Sequence, residues 1–283
     1  MKLHIDRMAP PTKRGKSAGH LASSLVLRSH ELLPLVVAFQ HGLYLDMLPI
    51  YRAMLRYSPK EHPLYYCPED IHPLLAAFPR SRLPALVACM PYMRSVLFLQ
   101  AAQFGPLDLL HTLESLFSLQ SAPTFLLDLA AQNGHLEVLR YLHTHAPHVC
   151  GTTAAMDSAA GGGYMDVVRF LHENRREGCT KAAMDTAAAA GHLAIVAFLH
   201  EEREEGCTDE AMEAAAAAGH LNVVEFLHDN RWEGDLEKAR DGATDGTVVA
   251  YLTRMIRADK EDEDDETGGR QESRMDDDAV DVA

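Results

Sequence analysis

The sequence predicts an all-α fold, an elongated helical-repeat solenoid of about eight helix pairs with disordered termini. Three observations lead to this prediction. A unit of about 28 residues recurs along the second half of the chain. Each unit indicates two helices, because an alanine-rich run is followed by apolar residues at helical spacing. Both chain ends are charged and poor in apolar residues, so we expect them not to pack.

The repeat is clearest in three units that align without gaps. Each runs from a threonine through an alanine-rich segment to a glycine, and then through a second segment that ends in Phe-Leu-His. An earlier unit, from Thr124 to His143, matches closely. The spacings between the four central glycines are 29, 28 and 28 residues, which indicates duplication rather than chance. The three units begin at Thr152, Thr180 and Thr208, and the four glycines are Gly134, Gly163, Gly191 and Gly219.

Each unit contains signals for its own helix ends. Threonine is a good N-cap, because its hydroxyl accepts from an unpaired amide of the first turn. Gly191 ends a first helix, since glycine tolerates the left-handed conformation. In the second helix Leu193, Val196 and Leu199 recur three residues apart and form an apolar stripe. Neither helix has enough to bury alone, so the units are expected to stack on one another.

One segment carries a family resemblance. Residues Leu129 to Leu139 read Leu-Ala-Ala-Gln-Asn-Gly-His-Leu-Glu-Val-Leu. This resembles the central helix–turn–helix signature of the ankyrin-repeat family, and the resemblance covers roughly 124–230. It implies a helical solenoid that is used for protein–protein binding.

Two features depart from that family. Its repeat has about 33 residues, so these units are about five residues shorter. The missing residues fall between units, at Arg175–Gly178 and Glu202–Gly206, where the family places a projecting β-turn finger. The family's Thr-Pro-Leu-His tetrapeptide is replaced by Ala182–Asp185 and its equivalents. Stacked helices are still expected, whereas recognition through fingers is not supported.

Weaker copies extend the array in both directions. Val37–Leu48 and Leu99–His111 have the character of the repeat, Ile71–Tyr92 reads as a proline-rich degenerate unit, and Gly246–Leu252 echoes a second helix that caps the array. The predicted organisation has four parts. These are a basic disordered leader (1–24), degenerate N-terminal helical repeats (25–122), regular ankyrin-like repeats with a C-terminal cap (123–257) and an acidic disordered tail (258–283).

The charge of −15 is unevenly distributed. Residues 259–283 hold 12 acids and 3 bases (net −9), whereas residues 1–30 hold 6 bases and one acid (net +5). An acidic array repels phosphate backbones, so nucleic acid is not an expected partner. Five cysteines, an odd number, indicate a reducing compartment, and Lys13–Lys16 is a weak nuclear signal. We expect a cytoplasmic or nuclear protein, with no membrane contact because the uncharged stretches are too short to span a bilayer.

The repeated polar residues suggest chemistry at first sight. Histidines recur at two repeat positions and cysteines at one, but equivalent residues on helices about 8–10 Å apart cannot share a zinc ion. Gly161–Gly163 follows a helix and lacks the lysine of a phosphate-binding loop. The carboxylates of Asp128, Asp157, Asp185 and Glu213 form a ladder that is best explained by hydrogen bonds to loops of adjacent repeats. We therefore predict no catalytic residue, no metal site, no cofactor and no enzymatic activity.

The first helices offer the candidate partner surface. Residues that face outward from them are small and weakly polar, so this face could receive an extended peptide or another helix. It contains few of the large anchors that dominate interfaces. The candidate partner-binding residues are Asp157, Ser158, Asp185, Thr186, Ala189, Ala190, Glu213, Ala214 and Ala217.

The functional prediction is a monomeric, non-enzymatic module that binds one or more unidentified proteins. The alternative is a substrate adaptor of a ubiquitin ligase, in which residues 25–60 dock the ligase as a leucine-rich helical box.

Overall fold

The computed structural model describes residues 44–57, 67–231, 234–258 and 260. The predicted leader (1–24), most of the predicted docking box and nearly all of the predicted acidic tail lie outside these residues. The chain divides into two compact units, Met1–Pro123 and Thr124–Ala283.

The first unit contains five described α-helices. Three of them are short and carry a proline in their first turn, where a missing N–H costs no helical hydrogen bond. Two longer helices follow and are joined at Gly105, which has the left-handed φ of 77° that an L-residue rarely adopts. The helices are α1 (Leu48–Met54), α2 (His72–Ala76), α3 (Leu83–Cys89), α4 (Met93–Phe104) and α5 (Leu107–Phe117).

Helix α4 forms the centre of the first unit. Its residues Val96, Leu97, Phe98 and Leu99 are all fully buried, which places several sides of the helix in the core. Gln100 is buried as well, and its Nε2 lies 3.5 Å from Nδ1 of His72 on α2. The α4–Gly105–α5 pair is the repeat that the sequence predicts at Leu99–His111.

The second unit contains ten described α-helices in five pairs. They are α6 (Leu126–Gln132), α7 (Leu136–His145), α8 (Thr153–Gly161), α9 (Met165–Asn174), α10 (Lys181–Ala189), α11 (Leu193–Glu202), α12 (Asp209–Ala217), α13 (Leu221–Asn230), α14 (Leu236–Gly242) and α15 (246–258). The first helices α6, α8, α10, α12 and α14 pack on one another in succession, and successive second helices from α7 to α13 do the same. The stacking of like on like is the packing that the repeat predicts.

The core of the second unit consists of two kinds of layer. The first helices α8, α10 and α12 bury alanines and one methionine each, for example Ala183, Met184, Ala187 and Ala188 on α10. The small side chains let neighbouring first helices approach closely. Second helices bury branched residues that form a thicker apolar layer, such as Val167 and Val168 on α9, Ile195 and Val196 on α11, and Val223 and Val224 on α13.

The last pair ends the array with a more polar surface. Asp235 replaces the threonine cap and accepts from the backbone N–H groups of Glu237 and Lys238, at 2.9 and 3.1 Å. Helix α15 buries Val248 and Leu252 toward the preceding repeat but exposes Arg254 and Arg257.

The predicted all-α repeat fold is confirmed. The described part of the chain holds fifteen α-helices, and no strand occurs in it. None of the described helices is both long and apolar enough to cross a bilayer.

Candidate functional site

The outward face of α8, α10 and α12 is the candidate site. We call it the first-helix face, and it comprises the nine candidate residues and their neighbour Ala218. Because these helices stack in register, equivalent positions of successive repeats follow one another in rows. Ser158, Thr186 and Ala214 form one such row, in which Thr186 is exposed and the other two are half-buried. Ala190, Ala217 and Ala218 are exposed, while Ala189 is half-buried.

The N-terminal ends of these helices are fixed by threonine caps. The hydroxyl of Thr180 accepts from the backbone N–H of Ala182 at 3.2 Å, and Thr152 and Thr208 make the equivalent bond at the same distance. Each cap removes one unpaired amide from a helix start and stabilises it by about 1 kcal/mol.

Carboxylates of the preceding repeat hold the caps in place. Asp157 accepts from both the backbone N–H and the hydroxyl of Thr180, each at 2.8 Å. Asp185 does the same with Thr208, at 2.8 and 2.9 Å. Asp128 completes the series with Thr152. The carboxylate ladder therefore links each repeat to the next, as the sequence suggests, and both oxygens of these groups already have partners.

Glu213 behaves differently from the aspartates of the ladder. The next repeat begins with Asp235, which caps its own helix and offers no hydroxyl to Glu213. Glu213 instead lies 3.7 Å from Nζ of Lys238, an exposed pair that contributes little to stability. Of the three candidate carboxylates on the first-helix face, Glu213 alone makes no described bond to a cap of the following repeat.

Each glycine in the run Gly161–Gly163 has its own structural reason. A Cβ on Gly161 would lie 3.0 Å from Cβ and Oγ1 of Thr186, so this side chain occupies the space that an alanine would need. A Cβ on Gly162 would lie 2.5 Å from the Tyr164 ring. Gly163 has the left-handed φ of 79°. Packing and backbone conformation thus account for the run, which supports the sequence-based rejection of a phosphate-binding loop.

The central glycines also receive rings from the following repeat. A Cβ on Gly163 would lie 2.7 Å from the His192 ring, and one on Gly191 would lie 2.7 Å from the His220 ring. Tyr164 takes the same position against Gly134. Sequence reasoning assigned these glycines to helix ends only. The recurrence of His or Tyr directly after each glycine was the signal for the inter-repeat contact.

The loops between repeats are held by internal ion pairs. In one loop Arg175 contacts Glu177 through two hydrogen bonds, and in the next Arg203 does the same with Glu205. Burial alone would raise the pKa of Glu205, but hydrogen bonds, above all from Arg203, lower it below its ordinary value. These loops occupy the place of the missing fingers, and their arginines are already engaged within the chain.

The cysteines and histidines do not form a metal site in the part of the chain that the structure describes. No three described His, Cys, Asp or Glu side chains come together there. Cys179 and Cys207 are buried and form no disulfide, and burial raises the pKa of Cys179 to about 11. Residues of this kind contribute to packing, because the neutral thiol is neither a nucleophile nor a good ligand.

A comparison with models of protein families identifies the repeats in part of this region. A family model of ankyrin repeats, in three copies, matches residues 127–208. The segment 127–208 therefore carries ankyrin repeats. The match covers α7 to α11 in full and includes the ladder bonds from Asp128 to Thr208. A comparison with curated proteins found no significant match.

Ankyrin repeats act as protein–protein interaction modules, which is the function class of this segment. In this protein the repeats interact with each other through the aspartate–threonine bonds and the glycine–ring contacts. These contacts fix the first helices relative to one another. The side chains that point outward from these helices are mostly small.

Proposed function

We propose that the protein is a monomeric, non-enzymatic module that binds another protein along its first-helix face. The observation that supports this most is the alignment of equivalent, at least partly exposed positions on α8, α10 and α12, namely Ser158, Thr186 and Ala214. A row of this kind presents the same small surface three times, at the spacing of the helices. The module requires no cofactor. The cysteines form no disulfide in the described part of the chain, which suits a reducing compartment such as the cytoplasm or the nucleus.

The rigidity of this face supports the proposal. Asp157 and Asp185 tie each first helix to the cap of the next, so the row does not need to be ordered when a partner binds. Binding to a preorganised surface avoids part of the entropic cost of association. Thr186 is also fixed, since its hydroxyl donates to the carbonyl oxygen of Ala182 at 2.6 Å.

The chemistry of the face indicates what a partner must supply. Ala190, Ala217 and Ala218 present methyl groups and nearby backbone, and they leave room for a large side chain of the partner. Binding hot spots are enriched in Trp, Tyr and Arg, none of which this face contains. We therefore expect the partner to contribute the anchoring side chains.

The ligase-adaptor alternative depends on residues 25–60, of which the structure describes 44–57. This part contains α1, where Leu48 and Ile50 are buried, and the exposed Leu55 that follows the helix. No described contact favours a ligase over another partner, so the binding module remains the proposed function.

Arginine substitutions test the proposal. Ala190→Arg and Ala218→Arg together place two long, charged side chains in the row. Ala194→Arg is the matched control, because Ala194 is also an exposed alanine but lies on the second helix α11. All variants must first show the circular dichroism and urea midpoint of the wild type.

Affinity capture followed by quantitative mass spectrometry then compares the proteins retained. We expect the double variant to lose specific partners by at least about tenfold, the effect of about 1.4 kcal/mol. The control should retain them. Equal capture by the wild type, the double variant and the control would exclude the first-helix face as the binding surface.

A further inference from the structure

Tyr164 is the one large apolar or aromatic side chain that is exposed among the described residues of the second unit. It lies in the turn between α8 and α9, next to the C-terminal end of the first-helix face. The other regular repeats have histidine at this position, namely His135, His192 and His220, and these histidines are half-buried. An exposed aromatic ring beside the proposed binding surface is therefore particular to one repeat.

The fold does not require a tyrosine at this position. The next two repeats combine their histidine with Ala190 or Ala218, whereas Tyr164 is combined with Gly162. Gly162 has helical backbone angles, at which glycine is less favourable than alanine. This repeat thus has a less stable residue where the tyrosine occurs, and departures from local preference of this kind are expected at functional sites.

The Tyr164 ring is bordered by glycines on two edges. A Cβ on Gly134 would lie 2.5 Å from Cδ1 and Cε1 of the ring, and a Cβ on Gly162 would lie 2.5 Å from Cε2. In the described part of the chain no aromatic ring and no arginine is stacked on this tyrosine. A partner can therefore contact the exposed part of the ring without displacing a side chain.

Other rings of the second unit show which group covers an aromatic face in this protein. Cζ of Arg140 lies 5.5 Å from the ring centroid of Phe170, and Cζ of Arg169 lies 5.5 Å from that of Phe198. A cation is attracted to an aromatic face because the face is electron-rich, and arginine makes this contact more often than lysine. Tyr164 receives no such cation from the described chain, so a partner has to supply one.

The charge of the repeats also favours a cationic partner. Residues 124–231 contain 16 acids and 7 bases, which gives a net charge of −9. Asp166 is exposed in the first turn of α9, two residues from Tyr164. A negative surface of this kind attracts positively charged segments and raises their local concentration.

Building on the proposed function, we propose that Tyr164 anchors an arginine side chain of the partner protein, carried on a basic segment that lies along the first-helix face. The guanidinium stacks on the exposed part of the Tyr164 ring. The segment continues over Gly162 and Ala190, which are exposed and have no large side chain to obstruct it.

A peptide titration of the full chain, followed by NMR, tests this anchor. The probes are two short, end-blocked peptides of glycine and serine, one with two arginines and the other with two lysines. Tyrosine labelled with carbon-13 reports contacts at the ring, and Tyr164→Phe identifies the signal of Tyr164. We expect the arginine peptide to shift this signal and to bind more tightly than the lysine peptide of equal charge.

A matched variant comes from the chain itself. Gly162→Ala combined with Tyr164→His gives the residues of the next two repeats, so it is expected to fold. It should bind the arginine peptide about two- to fivefold more weakly, which corresponds to the loss of an exposed cation–π contact. Tyr164→Phe keeps the ring face and should bind this peptide as tightly as the wild type.

Two results would overturn the proposal. One is a Tyr164 signal that the arginine peptide does not shift in the wild type, a result that depends on no variant. The other is equal affinity of the wild type and the Gly162→Ala/Tyr164→His variant for this peptide. Failure of the first-helix face is measured separately, by affinity capture with Ala190→Arg and Ala218→Arg. If that variant loses its partner while Gly162→Ala/Tyr164→His retains it in full, the face binds the partner and the Tyr164 anchor alone is wrong.

Discussion

Replacement of Gly162 by alanine tests the packing between repeats most sharply. The backbone of Gly162 (φ −78°, ψ −8°) is open to any L-residue, so conformation alone would make alanine stabilising by about 0.5–1 kcal/mol. The added Cβ would, however, lie 2.5 Å from Cε2 and 2.8 Å from Cδ2 of Tyr164. Carbon atoms in contact are normally about 3.5–4.0 Å apart, so the ring must move by about 1 Å.

The Tyr164 side chain is 38% exposed, but the two edges of its ring each face a glycine. It also lies 2.5 Å from the place where a Cβ of Gly134 would be, and it is therefore held against two glycines. Overpacking in a buried core costs about 1–3 kcal/mol, and a ring that is open to solvent on one side relaxes part of that cost. After the gain from replacing glycine, Gly162→Ala should lower the free energy of unfolding by about 1 kcal/mol.

The next two repeats show which pair of residues avoids this clash. The next two repeats carry Ala190 before His192 and Ala218 before His220, and the helix pairs form there. Gly162→Ala in a Tyr164→His background restores that combination, so it should be neutral or stabilising.

Urea unfolding followed by circular dichroism at 222 nm gives the four free energies of this double-mutant cycle. The coupling between Gly162 and Tyr164 should be at least about 1 kcal/mol, which is well outside the error of additivity. If Gly162→Ala changes the free energy of unfolding equally in both backgrounds, contact with the Tyr164 ring is not the reason why position 162 is glycine.

Contacts at the caps, the loops and the buried thiols lead to three more expectations. Asp185→Ala leaves the backbone N–H of Thr208 without its acceptor, so it should lower the free energy of unfolding in urea by about 1–3 kcal/mol. The control Glu225→Ala, at an exposed site of α13, should change this free energy by no more than about 0.5 kcal/mol. The pKa of Glu205 lies below its ordinary value of 4.5, so the stability that its carboxylate contributes is complete above pH 4.5 and is lost as the pH falls through the folded pKa. Glu205→Gln should therefore make the free energy of unfolding depend less on pH below about pH 4.5. An unchanged pH dependence would contradict this expectation. With a pKa of about 11, buried Cys179 should react with iodoacetamide at pH 8 far more slowly than exposed Cys150, which peptide mapping can check.

Sequence patterns predicted the repeats because local signals and stacking agree. Thr180, the alanine run and Gly191 each favour the same helix boundaries, and a period of 28 residues fixes which positions are equivalent. The carboxylate ladder was also predictable, since Asp157 and Asp185 recur one repeat apart where a loop must be held. Local propensity and tertiary packing point to one structure here.

The side-chain packing across the repeats was harder to predict. The spacing shows that Gly161 and Thr186 are in neighbouring repeats, but only the packing shows that one makes room for the other. Similarly, the sequence gives no sign that Nδ1 of His200 is buried without a partner. Such features depend on side-chain direction and helix separation, which a period alone does not determine.

Binding of a partner protein to the first-helix face is tested most directly by site-specific photocrosslinking. A photoreactive residue is introduced at Ala190 on this face or, as the control, at Ala194 on α11. We predict that position 190 crosslinks the captured partner and that position 194 does not. Crosslinks of equal yield from both positions, or from position 194 alone, would contradict binding at this face.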